Sequence, residues 1–156
     1  MKVHDIMSVP PQTCRVASDL ATASRRMKQT ATGMLVAFDG RNRIAGVVTD
    51  RDLALAIGSS PRDVRVRPVR EVMSCPVLTC HEEDDIHDAL RAMTTAHVRR
   101  LPVVSADGDL KGVLSVDDII LWAVQRRGVG LTELLEALRR ICLPRPAQED
   151  PAMPRL

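Results

Sequence analysis

Residues 45–54 read Ala45-Gly46-Val47-Val48-Thr49-Asp50-Arg51-Asp52-Leu53-Ala54, AGVVTDRDLA. An apolar run stops at four polar residues, three of them charged, and then turns apolar again. A catalytic cluster, a helix cap, or a ligand site built on a helix cap would each account for it. Residues 112–120, GVLSVDDII, narrow the choice. Gly112, the apolar pair, Ser115 and Asp118 fall 66 residues after Gly46, Val47, Val48, Thr49 and Asp52. The same gapless offset links VHDIMSVPPQTC (3–14) to VREVMSCPVLTC (69–80), and Leu35 to Leu101. Across 3–54 against 69–120, 14 of 52 positions are identical, against roughly 3 expected by chance. The chain is a tandem duplication.

Each repeat has only about 55 residues, a size at which a lone core is marginal. In a chain of 156 residues the two copies are therefore expected to pack as one unit about an internal pseudo-twofold axis. A formal charge of +2 and a single Phe and Trp (Phe38, Trp122) argue against nucleic acid, since single strands need aromatic stacking platforms. No stretch has the length of a membrane span, and MKVHDIMSVPPQ lacks the apolar core of a signal peptide. A cytoplasmic protein is expected. Cys14 and Cys80 are repeat equivalents on predicted strands, Cys75 precedes a proline, and Cys142 ends the last helix. None has CxxC spacing, so buried free thiols are the expectation.

Each repeat reads strand, helix, strand, strand, helix. In the first, 12–16 is a strand, Ser18 caps a helix with Asp19 in its first turn, and Leu20, Ala23, Ser24, Met27 and Ala31 recur at helical spacing. Residues 34–38 and 44–48 are strands joined by an Asp39–Asn42 turn. Thr49–Ile57 is a helix stopped by Gly58. In the second, 78–81 is a strand and Asp84 starts a helix. Residues 101–104 and 110–114 form a hairpin, and 115–127 is a helix. The expected divisions are repeat one 1–58, linker 59–68, repeat two 69–127, and an amphipathic C-terminal helix within 128–143. That helix carries Leu131, Leu134, Leu135, Leu138 and Ile141 on one face. Residues 144–156 hold four prolines and are expected to be disordered. The fold class is α/β, two β-α-β-β-α units.

The motif set resembles a pair of cystathionine-β-synthase (CBS) domains, or Bateman module. The matching features are DIMS-x-P before the first strand, Met near the end of the first helix, LPVV on the second strand, and G-h-h-[TS]-x-x-D leading into the second helix. They cover about 3–125. The resemblance implies a regulatory, non-catalytic module of the short stand-alone bacterial type. Such modules bind adenosine-containing ligands (AMP, ADP, ATP, S-adenosylmethionine) between the repeats and often pair as homodimers. It places ribose on Asp52 and Asp118, and phosphate near Thr49 and Ser115. Basic residues at Arg99 and Arg100 can also reach phosphates, and Arg51 is a further candidate. Repeat one has Gly33 and Met34 at the Arg99 and Arg100 positions, so the two sites are expected to be chemically unequal.

Each motif also has a reading that needs no ligand. Thr49-x-x-Asp52 and Ser115-x-x-Asp118 are capping boxes, although a helix N-terminus also offers free N–H groups to a phosphate. Arg51 suits a surface ion pair with Asp50. His81-Glu82-Glu83-Asp84-Asp85 invites a metal, but acids at a helix start are favourable anyway and the spacing fits no standard ligand pattern. No Gly-rich phosphate loop, nucleophile elbow or triad can be assembled. Two rivals stand behind the nucleotide module. One is an interaction module without nucleotide, in which the C-terminal helix recruits a regulated protein. The other, more remote, is a metal-binding sensor. The apolar helix residues Leu20, Met27, Leu53, Ile86, Met93 and Ile119 are more than so small a core is expected to bury, and Trp122 suits an interface anchor. Both point to a homodimer.

Overall fold

A computed structural model describes residues 1–59, 63–126 and 130–143. Parts of the expected linker, and all of the segment 144–156 expected to be disordered, lie outside the described residues. In repeat one, β1 (Thr13–Arg15) lies parallel to β2 (Met34–Phe38), and β2 pairs antiparallel with β3 (Ile44–Thr49). Helix α1 (Leu20–Thr30) makes the crossover between the parallel strands, and α2 (Asp50–Ser59) follows β3. Repeat two copies this with β4 (Cys80–His81), α3 (Ile86–Ala96), β5 (Arg100–Val104), β6 (Leu110–Ser115) and α4 (Val116–Arg126). Helix α5 (Leu131–Cys142) comes last. The middle strands β2 and β5 are buried along most of their length, which explains why they read as continuous apolar runs rather than alternating ones.

The helix starts differ from expectation by one residue. The cap of α1 is Asp19, not Ser18, and its carboxylate accepts the Thr22 N–H at 2.8 Å. The cap of α3 is Asp85, not Asp84, and accepts the His87 N–H at 2.9 Å. The reason is tertiary. The Ser18 carbonyl accepts the Val69 N–H at 2.8 Å and the Asp84 carbonyl accepts the Val3 N–H at 3.0 Å, so each helix begins one position later. The Thr22 and His87 backbone N–H groups contribute most to holding the Asp19 and Asp85 carboxyls below the usual carboxylate range. Gly58 lies within α2 rather than ending it. The left-handed residues that end α1 and α3 are Ala31 (φ 51°) and His97 (φ 52°), which carry no glycine signal.

The segments that open the two sequence repeats exchange places. Residues 1–8 pack on repeat two. His4 N–H donates to the Glu82 carbonyl at 3.0 Å, Ser8 pairs with Val113 of β6, and Val3 is fully buried in the repeat-two core. Residues 69–74 do the same for repeat one. Arg70 N–H donates to the Val16 carbonyl at 3.0 Å, Ser74 pairs with Val47 of β3, and Val69 is fully buried in the repeat-one core. Each core is thus completed by the other repeat's leading segment, which supplies a physical reason for two short repeats to fold together. The exchange also explains the glycine of the repeated motif. A Cβ on Gly46 would lie 2.5 Å from Met73 Sδ, and one on Gly112 2.7 Å from Met7 Sδ. The glycines leave room for the crossing methionines.

Contrary to expectation, all six apolar helix residues singled out above are buried inside the single chain. Helix α5 helps on the second repeat, where Leu134, Ala137 and Ile141 are buried and Leu138 packs against the core. Leu135 points away, 57 % exposed, so the apolar stripe is narrower than the sequence suggests; the side chain of Leu131 lies outside the described residues. Two cysteines also depart from expectation. Cys75 and Cys142 are exposed, Cys14 is half-buried and Cys80 buried. Cys75 lies between strands beside Pro76, and Cys142 sits at a helix end with its stripe turned away, so neither finds cover. Burial pushes the Cys14 thiol up to about 11 and the Cys80 thiol up to about 12. Because the thiolate is the reactive form, titration of the native chain at pH 8 with a disulfide reagent should show two fast thiols, a slow Cys14, and a Cys80 that reacts only on unfolding. A Cys80 as fast as Cys75 would contradict the burial.

Candidate functional site

Strands β3 and β6 each deliver a hydroxyl residue to the start of a helix, and the acid three residues on folds back over it. In repeat one, Thr49 N–H and Oγ1–H donate to Asp52 Oδ2 at 2.8 and 2.7 Å, and Asp52 N–H donates to Thr49 Oγ1 at 3.3 Å. In repeat two, Ser115 N–H and Oγ–H donate to Asp118 Oδ2 at 2.8 and 2.6 Å, and Asp118 N–H returns to Ser115 Oγ at 3.1 Å. Both motifs are capping boxes. The cap occupies one carboxylate oxygen, Oδ2, in each. An ionised carboxylate accepts on two oxygens, so Oδ1 is the atom left to recognise something else.

At Asp118 that second oxygen has a partner. Ser8 Oγ–H donates to Asp118 Oδ1 at 3.1 Å across 110 residues of sequence. Sequence reasoning missed Ser8. Its signal was present in the duplication, since Ser8 and Ser74 are identical repeat partners, but nothing local shows that the DIMS segment crosses to the other repeat.

The basic candidates cluster on the same side. Arg100 pairs in register with Ser115 across β5 and β6, and the Arg99 carbonyl accepts the Val116 N–H at 3.0 Å. The guanidinium groups of Arg99 and Arg100 lie 3.9 and 4.0 Å from the Asp117 carboxylate. Such loose, exposed pairs hold little energy, so both cations are available to a better anion. Arg100 also reaches the other repeat. A Cβ built on Gly33 would be 3.5 Å from its guanidinium and 3.1 Å from Asp50 Oδ2. Gly33, Asp50, Arg100 and Asp117 therefore meet where the repeats face each other. Arg51 occupies the first turn of α2, and its N–H donates to Asp50 Oδ1 at 2.8 Å. Its repeat partner is Asp117, so the charge inverts between the two helix starts. The structure thus gathers Ser115, Asp118, Arg99 and Arg100 at one helix start, with Thr49, Arg51 and Asp52 at the other.

The acidic run at 81–85 is engaged within the fold. Asp84 accepts the His81 N–H at 2.8 Å, Asp85 caps α3, and the Glu83 carboxylate lies 3.3 Å from His4 Nδ1. Among the described residues, no group of three or more His, Cys, Asp or Glu side chains is placed to hold a metal ion. Among the described residues, no helix is long and apolar enough to cross a membrane. A cleft of about 510 Å³ lies at the hairpin end of the first sheet, lined by Cys14, Arg15, Arg26 and Phe38 among others, and holds none of the seven candidates.

A duplicated β-α-β-β-α unit with a capped Ser/Thr-x-x-Asp helix start in each copy is a specific combination. The sequence model described as "CBS domain" matches it twice, over residues 3–59 and 69–124. The chain belongs to the CBS domain family. An uncharacterised 17.7 kDa protein of Acidianus ambivalens is 32 % identical over 118 residues, 76 % of this chain and 70 % of that protein. Two other curated relatives are longer; the match spans 48 % of one from Methanopyrus kandleri and 43 % of one from Thermofilum pendens. Among solved structures, the CBS domain protein PAE2072 of Pyrobaculum aerophilum, complexed with AMP, superposes with a TM-score of 0.72 at 23 % identity, covering 89 % of this chain and 99 % of that one. The CBS domain pair of protein MJ0100, in complex with 5′-methylthioadenosine and S-adenosyl-L-methionine, gives 0.72 at 23 % identity, covering 81 % and 98 %. At these identities the likeness shows the CBS fold.

Proposed function

We propose that this CBS pair is a regulatory module that binds an adenine nucleotide (AMP, ADP or ATP) or S-adenosylmethionine between its repeats and has no catalytic role of its own. The observation that carries this reading is the juxtaposition at the start of α4. There a capped carboxylate, Asp118, follows Asp117, whose own carboxylate is loosely paired with the guanidinium groups of Arg99 and Arg100. A vicinal diol donates two hydrogen bonds to such a carboxylate, and guanidinium suits phosphate. Asp52 is the counterpart ribose residue. Thr49, Arg51 and Ser115 are phosphate contacts at the two helix N-termini. The AMP complex of PAE2072 and the methylthioadenosine and S-adenosylmethionine complex of MJ0100 support the ligand class. Ligand bridging the repeats shifts their arrangement only so far as it binds one arrangement better than another, and a regulated protein reads that shift in the cytoplasm.

Calorimetry with adenosine, AMP, ADP, ATP and S-adenosylmethionine tests this. At least one should bind, with ATP and ADP exceeding adenosine. Changing Arg99 and Arg100 together to Ala should flatten that preference and reduce the salt sensitivity of binding, since screened charge attraction is what it removes. An equal loss for adenosine would assign the pair to packing. No binding by any of the five would leave the module without its proposed ligand.

The proposal includes a homodimer. The helix residues first considered for that contact are consumed inside the chain, but Leu121 and Leu135 remain 64 % and 57 % exposed. Light scattering should give about twice the 17.2 kDa chain mass, and Leu121→Glu should shift it toward monomer. Trp122→Glu is the poorer probe, because Trp122 packs against the repeat-two core. A wild type that stays monomeric at micromolar concentration would exclude the dimer.

A further inference from the structure

The two helix starts are built alike but are not served alike by cations. The Asp50 N–H donates to the Gly33 carbonyl at 3.2 Å, just as the Val116 N–H donates to the Arg99 carbonyl at 3.0 Å. Yet the two arginines where β5 begins, Arg99 and Arg100, have Gly33 and Met34 as their repeat-one counterparts, and Met34 is buried. The cation that repeat one supplies to its own helix start is Arg51, exposed in the first turn of α2.

Arg100 stands between these two starts. On its own repeat it pairs in register with Ser115, and its guanidinium is 4.0 Å from Asp117 Oδ2 in the first turn of α4. Toward the other repeat it lies against the space that a side chain at position 33 would fill. A Cβ on Gly33 would be 3.5 Å from both Nη1 and Nη2 of Arg100, and 3.1 Å from Asp50 Oδ2 in the first turn of α2. The Asp50 and Asp117 carboxylates thus approach one guanidinium from the two helix starts. The Asp117 pair is long and its partners are part-exposed, so it holds Arg100 weakly.

We infer that Arg100 is shared by the two nucleotide sites, which compete for it and are therefore negatively coupled for phosphorylated ligands. This rests on the nucleotide reading and adds to it the regulation of one site by the other. A guanidinium fork grips one phosphate with two parallel hydrogen bonds, and it cannot grip two phosphates at different helix starts. The first phosphate to arrive fixes Arg100 at its own start. The second then meets only Arg51 at α2, or only Arg99 at α4. Such coupling is reciprocal, each site weakening the other by the same factor. Adenosine has no phosphate and escapes it.

Equilibrium dialysis of the full chain with labelled ADP and labelled adenosine tests this. Asp52→Ala leaves the α4 site intact, and Asp118→Ala leaves the α2 site. In each of these single-site chains, adding Arg100→Ala should weaken ADP about tenfold or more while adenosine changes less than about twofold. A chain with both sites should bind its second ADP about tenfold more weakly than the single-site chain retaining that site binds its one. Adenosine should show no such penalty. Arg100→Gln keeps most of the side chain without its charge and should match Arg100→Ala, which separates charge from packing. Both variants should keep the wild-type circular dichroism, since the Arg100 side chain is 33 % exposed. A loss confined to one single-site chain would overturn the inference by giving Arg100 to that site alone. So would a single-site chain that takes up no ADP, or two ADP bound without mutual penalty. Each of these results leaves the nucleotide reading standing as long as one adenosine ligand binds. Failure of all five ligands would remove that reading and the coupling together.

Discussion

Asp118→Ala is expected to lower affinity for the adenosine ligand about ten- to hundredfold while the chain stays folded, the loss of hydrogen bonds to a charged group being worth roughly 1.5–3 kcal/mol. The substitution also removes the acid of a capping box, so the variant should lose about 1 kcal/mol of stability. The two effects separate cleanly: calorimetry below the melting transition reads binding, and a urea melt reads the cap. Because Asp118 Oδ1 already accepts from Ser8, an arriving ribose shares or displaces that bond. Ser8→Ala should therefore change affinity at this site far less than Asp118→Ala does. Asp52→Ala makes the same test of the other repeat. If both Asp variants bind every ligand as the wild type does, the carboxylates are caps and nothing more.

Gly112→Ala should be the more damaging of two matched substitutions, at about 2–3 kcal/mol against about 1 kcal/mol for Gly46→Ala, within the range for overpacking a filled site. At Gly112 the added Cβ would stand 2.9 Å from the Ser8 carbonyl oxygen, a backbone atom anchored by its pairing with Val113. At Gly46 the closest atoms belong to the flexible Met73 side chain, and the Ser74 carbonyl oxygen is 3.1 Å away. Urea denaturation should show this order. Met73→Ala should recover part of the Gly46→Ala loss, whereas Met7→Ala should recover little at Gly112, where the backbone clash persists. A Gly112→Ala chain as stable as wild type would mean that the exchanged segment is not held against β6. The same variant should loosen Ser8 from Asp118, which ties the packing of the exchange to the candidate site.

The features legible in the sequence are those set by neighbours along the chain. The strand–helix order followed from apolar pattern and turn residues. The caps at Thr49–Asp52 and Ser115–Asp118 followed from a side chain's reach over three residues, and the duplication followed from identity at a constant offset. Tertiary structure decided the rest, because it depends on where segments far apart in the chain meet, and no local periodicity encodes that. The exchange of residues 1–8 and 69–74 moved two helix starts by one position and gave Gly46 and Gly112 their reason. It also brought Ser8 to Asp118. Arg100 came to lie beside Gly33 and Asp50 only when the repeats closed on each other. The seat of α5 was undetermined for the same reason: an apolar stripe states that something must cover it, and the two helical faces of a duplicated fold compete for that role. Helix α5 took the face of repeat two, where His87 and His97 meet its two ends.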